Sequence, residues 1–409
     1  MRELKILVFF FMVLISCKKE QNTNLETEII KIELSASENS MQPFLFNNGN
    51  DLWMSWTEKI DDSLYTLNYS KLDSGKWENP IEITRGEDWF VNWADFPGLA
   101  ENNGNILTHL LKKSDSATFS YDIHLQLSKF NNNSAVKEFK LHTDSTKTEH
   151  GFVTMLPYLN DSFFVTWLDG RNTGGGGHGD AQSTKGAMQI RAARVLSTGE
   201  VIEDVVVDNK TCDCCQTSAA ITSEGPIIVY RDRSDQEVRD IYISRMVNGS
   251  WSIPKPIYND LWKINGCPVN GPKSSSFNSS LVVAWFTAAD NIPKVNISFS
   301  NNNGETFDDP IQIDNGNSIG RVDVAMLDDQ NALVSWMEAT GDIAEIKVLK
   351  VNKNGGKKSP LLISSLSASR SSGFPQMEVL NDMVYFAWND NSEDQSTVKT
   401  ARVSVSAFD

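Results

Sequence analysis

The sequence lacks the features of a membrane-spanning or nucleic-acid-binding protein. Its longest apolar run is Ile6 to Ile15, and a helix of that length cannot cross about 30 Å of hydrocarbon. Lysine and arginine number 37 against 53 aspartates and glutamates, a net charge of −16. Without a general basic surface, nucleic acid is excluded as an expected partner. An apolar fraction of 40% over 409 residues excludes wholesale disorder.

A long Pro- or Gly-rich linker is also missing, which favours one domain over the alternative of two stacked β-sandwiches. What recurs instead is a short strand pattern of apolar residues that ends in an aromatic residue or histidine before a polar turn. The seven copies end at Trp56, His109, Trp167, Tyr230, Trp285, Trp336 and Trp388. This spacing suits a four-stranded propeller blade. We therefore predict an all-β fold, a single β-propeller with seven blades.

The two ends of the repeat pattern predict how the ring closes. The last copy stops at Asp409 before a fourth strand, while an unassigned strand, Ile29 to Leu34, precedes the first copy. We expect this N-terminal strand to complete the last blade, because closure removes an unpaired strand edge. The third copy serves as a detailed test, with strands predicted at 152–159, 163–168, 188–195 and 201–207.

The N-terminus resembles an export signal with a lipid-attachment site. Arg2 and Lys5 precede the apolar run, and Leu14 to Cys17 is similar to a bacterial lipobox. The resemblance implies a signal peptide at 1–16 and lipidation of Cys17, with a flexible tether at 17–28 and the propeller at 29–409. An ordinary signal peptide is the alternative. Because no aspartate follows Cys17, we expect an outer membrane lipoprotein that faces the periplasm or the cell surface, and a monomer.

Arginine is scarce, with twelve in the chain, and it concentrates in one set of loops. In a propeller, the connections between blades and those between the second and third strands of a blade emerge at one face, here called the mouth. Seven arginines fall in these connections: Arg85, Arg171, Arg231, Arg233, Arg239, Arg321 and Arg370. Guanidinium groups match carboxylate and sulfate geometry, so we predict a planar or multidentate anion as ligand. Ion pairs with Asp169, Asp232, Asp240 and Asp323 that hold the loops are the alternative.

One turn resembles a motif of a known family. Ser300 to Phe307 is similar to the Asp-box of bacterial sialidases and related propellers, with Asn302 in the aspartate place. Strings around Trp167, Cys212, Tyr230, Cys267 and Trp285 resemble an exported bacterial sialidase-like family. The resemblance implies activity on, or recognition of, acidic glycans. The chain departs from sialidases in two ways. Those enzymes have an arginine where this chain has Ser40 to Phe44. They also have six blades, which is the alternative to the seven predicted here.

Three functions remain open: a sialidase-like glycoside hydrolase, a noncatalytic glycan-binding lipoprotein, and a uronate lyase. A hydrolase needs an anion clamp, a proton donor and a nucleophile. The candidates are Arg171, Arg231, Arg321 and Arg370 as clamp, Asp95 or Glu149 as acid, and Tyr230 with Glu237 as nucleophile pair. A lyase would use His150 and His178 with the same arginines. A core aromatic role is the alternative for Tyr230, and an exposed loop position for either histidine.

Four cysteines remain beside Cys17: Cys212, Cys214, Cys215 and Cys267. They lie in adjacent connections between blades, and an exported compartment favours oxidation. We therefore expect one disulfide from Cys267 to one of the other three cysteines, and a second bridge among those three is left open. Zinc binding is the alternative, although the adjacent pair Cys214 and Cys215 fits poorly with the usual ligand spacing. We predict neither a metal nor a cofactor.

Overall fold

The computed structural model describes residues 28–130, 132–174, 186–391 and 395–409, with the side chains of 132–135 left out. All its sheets are antiparallel and form seven blades. Blade 1 contains β2 (Ser40–Asn47), β3 (Leu52–Lys59), β4 (Tyr65–Asp73) and an outer strand in two pieces, β5 (Lys76–Trp77) and β6 (Ile81–Gly86). Blade 2 contains β7 (Leu99–Asn102), β8 (Asn105–Lys113), β9 (Tyr121–Lys129) and β10 (Asn132–Lys140). Blade 3 contains β11 (His150–Tyr158), β12 (Ser162–Asp169), β13 (Met188–Leu196) and β14 (Val201–Thr211).

The second half repeats this order. Blade 4 contains β15 (Ser218–Thr222), β16 (Gly225–Arg231), β17 (Ile241–Val247), β18 (Ser250–Trp251) and β19 (Lys255–Pro256). Blade 5 contains β20 (Lys273–Phe277), β21 (Ser280–Thr287), β22 (Lys294–Ser300) and β23 (Ile311–Gln312). Blade 6 contains β24 (Ser318–Met326), β25 (Asn331–Thr340), β26 (Ile343–Asn352) and β27 (Leu361–Ser367). Blade 7 contains β28 (Gln376–Leu380), β29 (Met383–Asp390), β30 (Thr397–Ser404) and β1 (Ile30–Ile32). Short 3₁₀ turns lie at Ala289–Asn291, Arg370–Ser372 and Val405–Phe408.

The seven-bladed prediction is confirmed, and so is the closure of the ring. β1 pairs with β30, with Ile30 opposite Arg402 and Ile32 opposite Thr400. The Thr400 hydroxyl also donates to the Ile32 carbonyl at 2.7 Å. The predicted strands of blade 3 agree with β11 to β14 within a few residues. The described residues contain no helix long and apolar enough to span a membrane.

The repeated aromatic residue of each second strand explains why the pattern recurs. Trp56, Trp167, Trp285 and Trp336 are almost fully buried, and each indole N–H donates to a carboxylate, as in the 3.0 Å bond from Trp167 to Asp169. A buried indole N–H usually has a hydrogen-bond partner, although those of Trp53 and Trp89 have none. The four carboxylates that accept these bonds therefore help to stabilise the core.

The first strands of the blades surround a central channel. Each contacts the first strand of the next blade, and a cavity of about 180 Å³ is lined by six of them and by the loop that precedes β7. Its charged lining includes Asp95, Lys273, Asp323 and Glu378. The connections between blades therefore end at the rim of a narrow, charged channel.

Two isoleucines of β1 provide a matched test of ring closure. Ile32 is 8% exposed and Ile30 is 42% exposed. Ile32→Ala should lower the free energy of unfolding by about 2–4 kcal/mol, because it leaves a cavity in the seam. Ile30→Ala should change it by less than about 0.5 kcal/mol. Urea denaturation of both variants measures the difference, and equal effects would contradict the closing role of β1.

Candidate functional site

The loop at 92–96 lies across the mouth and contacts distant blades. The Asn92 carbonyl accepts the Gln42 side-chain amide at 2.6 Å. The Ala94 carbonyl accepts the Gln216 amide at 2.7 Å. Trp93 stacks on Phe374, with ring centroids 5.8 Å apart. Side chains from blades 1, 4 and 7 thus fix one loop, and the prediction that the mouth loops gather at one end of the ring agrees with this arrangement.

Three first strands begin with a bulge that a neighbouring side chain holds. In each, a non-glycine residue adopts a positive φ next to a register shift: Gln42, Phe152 and Arg321. Their backbone N–H groups donate to Asn389 (3.0 Å), Asp95 (2.8 Å) and Asn270 (2.8 Å), respectively. Left-handed backbone at such residues persists only where the surroundings enforce it. Asp95 therefore has a structural role at its bulge besides any chemical one.

A buried tyrosine lies between two of the predicted acids. Tyr121, the first residue of β9, donates its hydroxyl to Glu149 at 2.6 Å and lies 3.4 Å from Asp95. All three side chains are less than 10% exposed. Asp95 comes from the loop between blades 1 and 2, and Glu149 from the loop between blades 2 and 3. We call these three residues the tyrosine triad.

Burial raises the pKa of two members of the triad, Asp95 and Tyr121. Burial and the nearby Glu149 charge raise the pKa of Asp95 well above its ordinary value, despite the N–H bond from Phe152. Burial and the two carboxylates also raise the pKa of Tyr121. A carboxyl group with a raised pKa can donate a proton near neutral pH, and a carboxylate that accepts from a tyrosine can act as its base.

A histidine and aspartate cluster adjoins the triad. His150 follows Glu149, and its ring stacks on His142 with centroids 3.8 Å apart and planes at 10°. His142 lies 2.8 Å from Asp144, and His150 Nε2 lies 3.2 Å from Asp144 and 3.7 Å from Asp169. Burial and the neighbouring His150 lower the pKa of His142 to about 4. The ligand atoms of Asp122, His142 and His150 lie within 4.8 Å of one another, as do those of Asp144, His150 and Asp169, so either group could hold a metal ion.

Three predicted arginines pair with carboxylates of the protein. Arg171 forms two 2.7 Å bonds to Asp169. Arg233 and Arg239 both bind Glu237, at 2.8 Å each. Asp169 is thus a partner that the ion-pair alternative named, whereas Glu237 is one that it did not. Arg171 and Arg233 keep part of their side chains exposed, whereas Arg239 is buried.

Two further arginines connect loops through backbone carbonyls. Arg231 is 2% exposed, and it donates to the carbonyls of Asn270, Arg239 and Phe286 at 2.6–3.1 Å. Arg321 donates to the carbonyls of Gly373 and Ser369 and lies over the Trp93 ring. These guanidinium groups hold the mouth loops together, so the structure does not present them as open anion-binding groups.

The remaining predicted residues are dispersed. Arg85 is exposed on the outer strand β6 and pairs with Glu82, away from the mouth centre, and Arg370 is exposed in the 3₁₀ turn. Tyr230 and Glu237 do not form the predicted pair, because the Tyr230 hydroxyl donates to Asp208 at 2.5 Å. That bond matches the carboxylate partners of the core tryptophans. His178 and Cys17 lie outside the described residues.

The cysteines converge without a disulfide. Cys212 and Cys215 have their sulfur atoms 3.6 Å apart, and the described part of the chain shows no disulfide among the four mouth cysteines. The predicted bridge from Cys267 stays a prediction.

Sequence reasoning missed Tyr121, His142 and Asp144. Tyr121 lies at the mouth end of a third strand, and the only signal was its position directly after a connection that emerges at the mouth. His142 and Asp144 lie in the same connection as Glu149 and His150, so proximity in sequence could have found them. Nothing in the spacing shows that Tyr121 would meet Asp95.

The comparisons with known proteins support the fold. No protein-family model matches the chain, and no curated protein matches its sequence. A Dyadobacter fermentans protein of unknown function aligns with a TM-score of 0.52 at 11% identity, over 93% of this chain and 98% of that one. The polysaccharide lyase Uly1 gives 0.50 at 9%, over 94% of both chains. The endosialidase of phage phi92 gives 0.50 at 10%, over 93% of this chain and 69% of that one. This chain therefore shares its fold with propellers whose names describe action on glycans.

Arg231 should be essential for stability. Arg231→Met leaves several buried carbonyls without a donor and should lower the free energy of unfolding by about 3 kcal/mol or more. Arg370→Met, at an exposed mouth position, should change it by less than about 0.5 kcal/mol. Chemical denaturation measures both, and an unaltered midpoint for Arg231→Met would refute its role in holding the loops.

Asp232 should make stability fall as the pH rises. Burial, and then the Asp208 charge, raise the pKa of Asp232 from 3.8 to about 7. Between these values the folded state binds the proton more strongly than the unfolded state, so the free energy of unfolding decreases from about pH 4 to pH 7. Asp232→Asn should flatten this decrease, whereas Asp309→Asn, at an exposed position, should preserve it. Denaturant midpoints across that range provide the measurement, and an unchanged slope in Asp232→Asn would contradict the assignment.

Proposed function

We propose that this protein is a sialidase-like glycoside hydrolase that acts on an acidic glycan at the mouth of the propeller. The observation that carries the proposal is the tyrosine triad, in which one hydroxyl lies 2.6 Å from Glu149 and 3.4 Å from Asp95. Hydrolases of acidic sugars can use a tyrosine nucleophile in place of a carboxylate. A tyrosine with a base on one side and a proton donor on the other meets that requirement.

The proposed chemistry gives each member of the triad one role. Glu149 accepts the phenolic proton while the Tyr121 oxygen forms a bond to the anomeric carbon. The bond from that carbon to the leaving oxygen breaks, and Asp95 transfers its proton to this oxygen. In the second step water replaces the tyrosine, with Asp95 accepting a proton from the water and Glu149 returning one to Tyr121. The raised pKa of Asp95 suits the donor role.

Arg171 is our candidate for recognition of the glycan carboxylate. It follows Gly170, whose N–H donates to the Glu149 carbonyl at 2.8 Å, so its loop adjoins the triad. Its guanidinium is partly exposed while bound to Asp169, which fixes its orientation. Trp93, stacked on Phe374 and half-buried at the mouth, provides an aromatic face for a sugar ring. We further propose attachment to the outer membrane through lipidated Cys17.

Burial favours a second candidate function, noncatalytic glycan binding. Tyr121 is 1% exposed, and Asp95 rather than Tyr121 lines the central cavity. A substrate must therefore displace the loop at 92–96, or part of it, to reach the hydroxyl. A binding protein needs no such movement, because Arg171, Arg370 and Trp93 are accessible without it.

Two tyrosine variants test the hydrolase. Tyr121→Phe removes the attacking oxygen and should lower turnover of a fluorogenic sialoside by at least about 100-fold. Tyr230→Phe removes a hydroxyl bonded to Asp208 and should keep turnover near that of the unmodified protein. Thermal unfolding of both variants verifies that each is folded.

Each other outcome identifies a different function. If the unmodified protein binds glycans on an array but does not turn them over, its function is noncatalytic glycan binding and not hydrolysis. An unsaturated uronate product, detected by its ultraviolet absorbance, would indicate the lyase. Equal turnover in Tyr121→Phe and Tyr230→Phe would exclude the tyrosine triad as the catalytic group.

A further inference from the structure

Four cysteines from two neighbouring mouth loops lie together, apart from the tyrosine triad. Cys212, Cys214 and Cys215 belong to the loop between β14 and β15, and all three are buried. Cys267 belongs to the loop between β19 and β20 and is exposed. Residues 213–214 form a turn, which allows the adjacent cysteines to turn toward the same point. The cluster is therefore closed on its inner side and reachable from solvent at Cys267.

The two cysteine loops are held in contact by independent interactions. A Cβ atom at Gly271 would lie 2.1 Å from the Gln216 carbonyl oxygen, so only glycine permits this approach. The Gly271 N–H donates to the Gln216 side chain at 3.1 Å. Arg231 donates twice to the Asn270 carbonyl. The positions of the sulfur atoms are thus fixed by the loops and do not depend on a bond between the cysteines.

The sulfur atoms of Cys212, Cys214 and Cys215 are spaced like three ligands of a single tetrahedral ion. Cys212 and Cys215 are separated by 3.6 Å, and the sulfur atoms of Cys212, Cys214 and Cys215 all lie within 4.8 Å of one another. Cys267 adjoins Cys212 and Cys214, and its sulfur is not one of the three that lie within 4.8 Å of one another. Four thiolates bound to zinc at about 2.3 Å have sulfur atoms about 3.8 Å apart.

The surroundings favour a negatively charged sulfur. Arg239 donates to the Cys212 sulfur at 3.1 Å, and its other end binds Glu237. N–H donors to ligand sulfur are typical of the shell around a bound metal. A disulfide sulfur is uncharged, so it would not form an ion pair with the Arg239 guanidinium as a thiolate does.

We propose that Cys212, Cys214, Cys215 and Cys267 bind one thiophilic tetrahedral cation of the zinc class through four thiolates. Binding transfers the thiol protons to solvent and leaves all four sulfur atoms on the ion. The ion links the loops on either side of blade 4 at the mouth. Cys267 provides the entry path. The site is independent of the proposed hydrolase activity, since none of its ligands belongs to the tyrosine triad.

The metal content of the purified full chain tests the site. Protein prepared without chelator should contain one zinc ion per chain, and the zinc-exchanged cobalt form should show the charge-transfer and d–d bands of tetrahedral thiolate coordination. After unfolding in chelator, all four cysteines should react with a thiol reagent. Cys267→Ser should weaken zinc binding at least about 10-fold in competition with a chromophoric chelator, because one thiolate is lost.

Asn265→Ser is the matched control, since Asn265 is exposed two residues before Cys267 in the same loop. It should bind zinc as tightly as the unmodified chain. Thermal unfolding of the metal-free proteins verifies that both variants are folded. A chain without metal whose mass is lower by two or four hydrogens would overturn the proposal in favour of disulfides. Equal zinc affinity in Cys267→Ser and Asn265→Ser would also overturn it.

Discussion

The hydrogen bond between a bulged first strand and a side chain from elsewhere in the ring is the constraint on which the mouth depends. Gln42, Phe152 and Arg321 adopt left-handed backbone, which costs about 1–3 kcal/mol for such residues. The partner that accepts each N–H keeps this backbone in place. Because these partners come from other blades or from the loops between them, the bulges and the loops hold each other. Asp95 is one of the partners, so the same contact that shapes blade 3 places a carboxyl group beside Tyr121.

Charge at the mouth is largely neutralised within the protein. Arg171, Arg233 and Arg239 meet carboxylates, while Arg231 and Arg321 meet backbone carbonyls. A buried guanidinium is costly unless it is paired and hydrogen-bonded, and these arginines find such partners in the mouth loops, although the buried Nε of Arg239 has none. The arrangement limits how many cations remain for an anionic ligand. The candidate catalytic groups are therefore the members of the tyrosine triad and not the arginines. It also leaves Arg239 in place to face the sulfur of Cys212.

The fold could be predicted from the sequence because its signal is repeated seven times. The aromatic residues at the ends of the second strands, such as Trp167 and Trp336, indicate side chains that are buried between blades. The unassigned strand before the first copy indicates how the ring closes. The site could be predicted only in part. Asp95, Glu149 and His150 were found because they are unusual residues in mouth connections. Tyr121 was not, because its meeting with Asp95 depends on how one loop crosses the mouth. Tyr230 was chosen for its place in the repeat, and the same place makes it a core residue bonded to Asp208.

Trapping the covalent intermediate tests the central claim most directly. A fluorinated sialosyl fluoride slows the second step of a tyrosine-dependent hydrolase, so the sugar stays attached to the nucleophile. Peptide mass spectrometry after incubation should place one sugar on the peptide that contains Tyr121, at its phenolic oxygen. Attachment at a different residue, or turnover of the reagent with no attachment at Tyr121, would contradict the account.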